Sequence, residues 1–123
     1  MLIPKNLYYT KNHLWLRKIG SYDFCVGITD FAQKEIGEIG LIEFNVKRDI
    51  IEKESSWGVL YGINKTFALL SPCECKIISV NTFLHKKPSH INTDPYNYWF
   101  LTISTSASEN EFLTREEYVQ LIR

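Results

Sequence analysis

Apolar and polar residues alternate in short pieces along this chain, as in Tyr22 to Val26, Leu41 to Phe44 and Lys76 to Val80, each bounded by glycine, asparagine or charged residues. A period of two places every second side chain on one face of a strand. Several such strands close together build a sandwich or a barrel rather than a helical bundle. The expected fold is therefore all-β dominated.

Helical signals are few and short. Thr29 can cap a segment that runs through Asp30 and stops at Gly37, about two turns of helix. Thr114 and Glu117 have the spacing of a capping box, in which the hydroxyl accepts from one backbone amide and the carboxylate from the other. They predict a short C-terminal helix with Tyr118, Leu121 and Ile122 on one face. Ser108 to Glu111 offers a weaker start just before it.

The chain has 123 residues, of which 45% are apolar and 14% aromatic, enough to fill one core. With no linker-like segment, low-complexity stretch or internal repeat, residues 1–123 are expected to form one domain and a monomer. Fourteen basic residues balance fourteen acidic ones, so no net field draws nucleic acid or anionic lipid. The first residues lack the pattern of a signal peptide, and nothing approaches a membrane-spanning apolar run. A cytoplasmic location is expected, with neither nucleic acid nor membrane as partner.

Three cysteines, Cys25, Cys73 and Cys75, form no disulfide framework and suit a reducing compartment. The spacing of Cys73 and Cys75 invites a metal reading, but His13, His85 and His90 show no paired spacing near them. The two cysteines read instead as strand residues on one face. A nucleophile beside a base, paired carboxylates and a glycine-rich phosphate loop are all missing from the pattern, so no catalytic residue is expected.

Val59 to Pro72 reads as two strand-like segments meeting at a short polar tip that contains Asn64 and Lys65. A primary amine on a long stem at such a tip can be acylated by another enzyme and then reach into partner active sites. A solvated surface lysine is the plainer reading of the same residue. Asn64 tolerates the left-handed conformation that a tight turn can require. His13, Trp15, Trp99 and Phe100 read as packed strand residues, whereas Trp57 is a candidate anchor for a partner.

Motifs in order along the chain resemble the H-protein family of the glycine cleavage system. The run from Tyr8 to Leu16, with His13 and Trp15, is similar to the family's Tyr-Ser/Thr-x-x-His-x-Trp-Leu. Val26-Gly27-Ile28-Thr29, followed by Ala32 and Gln33, resembles its Val-Gly-Ile-Thr-x-x-Ala-Gln. Gly37 to Gly40 falls where the family writes Leu-Gly-Asp. Pro72, Ile77, Val80 and Asn81 resemble its return strand, and Pro88, Ile91, Asn92, Pro95 and Tyr96 its Pro-x-x-(Leu/Val)-Asn-x-x-Pro-Tyr. Phe112, Leu113, Thr114, Glu117, Tyr118, Leu121 and Ile122 complete the likeness, which runs from Leu7 to Ile122.

The resemblance implies a barrel-sandwich hybrid of the lipoyl-domain type with short flanking helices, one of them C-terminal. It also implies a carrier rather than an enzyme, with lipoate in covalent amide linkage to a lysine. Such an arm takes an aminomethyl group from glycine decarboxylase to aminomethyltransferase and is reoxidised by dihydrolipoamide dehydrogenase, in glycine catabolism. Lipoate ligase or lipoyl transferase would load it.

At the attachment point the chain departs from the family, which writes Glu-Ser-Val-Lys with the lysine eight positions before the proline of the return strand. Counting back eight from Pro72 reaches Asn64, and Lys65 lies one residue late. Either the turn absorbs a one-residue slip and Lys65 is the attachment lysine, or Asn64 has replaced it. A slip inside a strand would send every side chain to the opposite face, so the turn is where it must be absorbed. Tyr61 stands where the family has Glu, and Val46 to Arg48 brings basic residues to an acidic, glycine-containing stretch. Two functions follow: an H-like lipoyl carrier loaded on Lys65, or a degenerate H-like domain without lipoylation, serving as a protein-interaction or regulatory module.

Overall fold

Nine strands and three short helices follow one another in the computed structural model, which describes residues 1–46 and 48–123. They are β1 (Tyr8–Tyr9), β2 (Leu14–Lys18), β3 (Asp23–Ile28), α1 (Asp30–Ile36), β4 (Ile39–Phe44), β5 (Ile50–Ile51), β6 (Ser56–Gly62), β7 (Thr66–Leu70), β8 (Cys75–Val80), α2 (His90–Thr93), β9 (Leu101–Ser104) and α3 (Arg115–Leu121). One sheet has the order β1-β2-β3-β9-β8-β5 and the other β4-β6-β7, and every pairing is antiparallel. This is the expected all-β fold with short flanking helices.

The alternation in the sequence becomes the division between core and surface. Leu16, Phe24, Val26, Ile42, Leu60, Leu69 and Ile103 from both sheets pack into one buried cluster. Burying one such side chain contributes about 1.5–3 kcal/mol. In β2 the alternation disappears, because Leu14, Trp15 and Leu16 are all fully buried. Leu14 and Leu16 enter the main cluster, and Trp15 enters a second one with Leu7, Tyr9, Tyr96 and Tyr118. The Trp15 Nε1 donates to the Pro95 carbonyl at 3.0 Å, so its one polar atom is satisfied.

Both expected helix starts are present. Thr29 accepts from the Ala32 amide and Gly37 ends α1. Thr114 and Glu117 form a reciprocal capping box at α3, and Ser108 with Glu111 forms another at a single 3-10 turn. On α3 only Tyr118 is buried. Ile122 packs partly buried against the same cluster as Tyr118, and Leu121, between them in sequence, is exposed.

Three further readings are corrected, those of His13, Trp57 and Cys73. His13 precedes β2 and takes a left-handed conformation, φ 67°, so it is a turn residue and not part of a strand. Trp99 and Phe100 lie just before β9, with Phe100 fully buried and Trp99 partly so. Trp57 is fully buried in β6, stacked on Phe44, and so offers no anchor to a partner. Cys73 sits in the bend before β8, which begins at Cys75.

Candidate functional site

In the β6–β7 hairpin, Val59 faces Ala68, Leu60 faces Phe67 and Tyr61 faces Thr66. The Gly62 amide donates to the Lys65 carbonyl at 3.1 Å, which leaves Ile63 and Asn64 as the whole loop. Asn64 therefore stands at the apex and Lys65 at the foot of the turn, immediately before β7. Both side chains are exposed.

Two-residue hairpin loops ordinarily need positive φ at one or both central residues. Among the described residues only His13, Glu54 and Gly37 have such values. The left-handed conformation that Asn64 tolerates is thus not adopted. The turn is instead held from outside. The Ile63 amide donates to the Glu38 carbonyl at 2.9 Å and the Asn64 amide to the Ile36 carbonyl at 3.0 Å. The last carbonyls of a helix have no partner within it, and here the hairpin supplies one.

So close an approach requires glycine on both sides. A Cβ at Gly62 would fall inside the Ile36 side chain and carbonyl, and one at Gly37 would meet Ile63 at 2.6 Å and Asn64 at 2.8 Å. Gly37 also takes φ 79°, where a side chain is strained.

Behind this junction stands α2. Asn92 accepts from the Ile39 amide at 2.9 Å and donates to Gln33 Oε1 at 2.9 Å and to the Gly37 carbonyl at 2.8 Å. It holds the end of α1 that in turn holds the tip. The sequence reading placed Asn92 only within a motif and missed this role. An amide beside a two-turn helix was the available signal, but it does not by itself name its partners.

The other flank of the hairpin faces His13. The ring Nδ1 lies 2.9 Å from the Tyr118 hydroxyl, which is 2.7 Å from Thr29 Oγ1, so the N-cap of α1 and the C-terminal helix meet there. Burial, and then the charge of Lys65, lower the His13 pKa, while Glu35 opposes them. A shallow cavity of about 250 Å³ between these parts is lined by Lys11, Asn12, His13, Lys65 and Phe67, among others.

On the outward side, Leu41 pairs with Tyr61 and Glu43 with Val59. The neighbouring Glu43 carboxylate holds the Tyr61 hydroxyl above its ordinary pKa, with burial adding to the effect. A carboxylate thus lies beside the tip although residue 61 is not acidic. Of the basic stretch at 46–48, Lys47 lies outside the described residues, and Arg48 lines a groove with Asp49 and Glu74. No group of three histidine, cysteine or acidic side chains that could hold a metal occurs among the described residues.

The model of the glycine cleavage H-protein family matches residues 7–123, nearly the span over which the motifs were read. The chain belongs to the glycine cleavage H-protein family. The H protein of Anaeromyxobacter sp. (strain K) is 40% identical over 107 residues, covering 86% of this chain and 83% of its own. That of Carboxydothermus hydrogenoformans is 35% identical over 124 residues, covering 98% and 95%. The crystal structure of a glycine cleavage system H protein from Mycobacterium marinum superposes with a TM-score of 0.84 at 27% identity, covering 96% of this chain and 97% of that one. The fold is that of an H protein, of lipoyl-domain type. An H protein is a lipoyl carrier and not a catalyst. No helix among its described residues is long and apolar enough to cross a membrane.

Proposed function

We propose that this H protein bears its lipoyl group on Lys65 and, as one domain over residues 1–123, shuttles an aminomethyl group between glycine decarboxylase and aminomethyltransferase. Dihydrolipoamide dehydrogenase reoxidises the arm, and a lipoate ligase or lipoyl transferase installs it, in the cytoplasm. The observation that carries the reading is the position of Lys65, exposed at the foot of a two-residue turn whose other members, Gly62, Ile63 and Asn64, have no amine to acylate. The turn is fixed by α1 and not by its own side chains, so a ligase meets a preorganised backbone, which lowers the ordering cost of docking.

The residues fit the group: a primary amine in solvent is what an amide linkage needs. Bound lipoate would supply a dithiol–disulfide pair on a long arm. The chain's own part is to hold the amine away from the core and to leave the cavity beside His13 open at its base.

Asn64 at the apex favours a second reading, an H-like domain that is not lipoylated and serves as an interaction module. Intact mass after expression beside a lipoate ligase with lipoate separates the two. A lipoyl increment that vanishes in Lys65→Ala supports the carrier. No increment in the natural chain, with an increment in Asn64→Lys, would establish the second reading and end the first.

A further inference from the structure

The edge strand of a sheet presents unpaired amides and carbonyls to any chain that can pair with them, and folded proteins blunt such edges with charges, prolines, bulges, very short strands or a cover. Among the described residues, three edges of the two sheets are blunted. At β1, Tyr9 exchanges backbone hydrogen bonds with Leu113. The β5 edge is two residues long. β4 is irregular between Ile39 and Leu41, carries Glu43, and has its Ile39 amide taken by Asn92.

The remaining edge, β7, has none of these devices. Thr66-Phe67-Ala68-Leu69-Leu70 contains no charge and no proline, and the irregularity in its pairing falls on β6, between Ser56 and Gly58. On either side of the strand, the Lys65 carbonyl accepts from Gly62 at 3.1 Å and the Ser71 amide donates to Ser55 at 2.9 Å. Bonded and non-bonded residues alternate along an antiparallel pair, so Phe67 and Leu69 also turn their backbone groups to β6, whereas Thr66, Ala68 and Leu70 turn theirs away. Those three residues line the shallow cavity beside His13, which leaves the edge open to solvent.

We propose that the β7 edge is a self-association surface, on which a second copy of this chain adds its own β7, antiparallel about a two-fold axis through Ala68. The strand is self-complementary in that register. Thr66 faces Leu70 of the second copy and Ala68 faces Ala68, so each outward amide and carbonyl meets a group turned toward it. On the inner side Phe67 faces Leu69 of the second copy, an aromatic against an aliphatic. At each end Lys65 comes opposite Ser71 of the second copy, whose carbonyl is held by the Glu54 amide at 2.8 Å. The Glu54 carboxylate, paired with Lys11 at 3.0 Å and exposed, draws the arriving ammonium and fixes the direction of pairing. Acylation of Lys65 removes that attraction but none of the strand pairing. One short strand pair buries less than the about 1,200 Å² of a standard interface, so the dimer is transient and the monomer expected from the sequence is its dilute form.

Sedimentation velocity of the unmodified full chain, from micromolar to near-millimolar concentration, should show the average mass climbing toward twice that of one chain. Over the same range amide exchange should slow at Thr66, Ala68 and Leu70 and stay constant at Phe67 and Leu69, whose amides β6 already holds. Ala68 is exposed, so Ala68→Lys and Ala68→Glu should keep the fold, as circular dichroism would check, while bringing like charges together on the axis. Each variant alone should remain a monomer at every concentration, and their equimolar mixture should associate. A natural chain that stays monomeric throughout, slowed exchange only away from β7, charge variants that dimerise as the natural chain does, or a mixture no more associated than its parts would overturn the proposal.

Discussion

The β2 side of the molecule and the β6–β7 tip are ordered by opposite means. In β2 the ordering comes from side chains: Trp15 fills a closed cluster and Leu14 and Leu16 fill another. At the tip the side chains point to solvent, and Ile63 is 78% exposed. Order there comes from two backbone hydrogen bonds to the end of α1, from two glycines and from Asn92. A hydrophobic cluster resists change because it is large, whereas the tip resists change because a neighbouring helix end fits it. Damage to the first should unfold the protein. Damage to the second should displace the presented residues and leave the sandwich intact.

The largest effect is expected from Trp15→Ala, which removes a buried indole and leaves a cavity, costing about 3–5 kcal/mol in urea unfolding. If tip variants cost as much, the contrast fails. Gly62→Ala should cost less, about 1–3 kcal/mol, because the added methyl pushes the tip off Ile36. Amide exchange at Ile63 and Asn64 should speed up well before that of β2 does. Asn92→Ala should cost about 1–2 kcal/mol and show the same local pattern, since its amide makes bonds that water can partly replace.

The smallest effect concerns pH. His13 has a folded pKa below its unfolded value of about 6.5, chiefly through burial. The unfolded chain therefore binds more protons, and stability is full above that value and falls as the pH drops through the window beneath it. Loss of this slope in His13→Gln, with the rest of the acid limb unchanged, checks the assignment.

The strands and caps were legible because each has a local cause. The alternation in Lys76 to Val80, the Thr29 cap and the pairing of Thr114 with Glu117 all act within a few residues. Trp57 was misread because burial depends on what arrives from elsewhere. Trp57 is covered by Phe44 and Phe100. At the candidate site the sequence located the hairpin and both Asn64 and Lys65. It did not disclose that α1 shapes the turn, because backbone amides and carbonyls leave no mark on residue identity.

That Ile63 and Asn64 borrow their hydrogen-bond partners from the end of α1 and the residue two beyond it, Ile36 and Glu38, also bears on the order in which the protein folds. A hairpin with a self-sufficient turn can start from that turn and zip toward its open end. This turn has no left-handed residue to close it unaided, so its ends must wait until α1 has formed and docked, a contact spanning the stretch from Ile36 to Gly62. The tip is then a late element, formed after the folding transition state. Gly62→Ala should accordingly leave the refolding rate nearly unchanged and place almost all of its cost in faster unfolding, as a stopped-flow chevron would show.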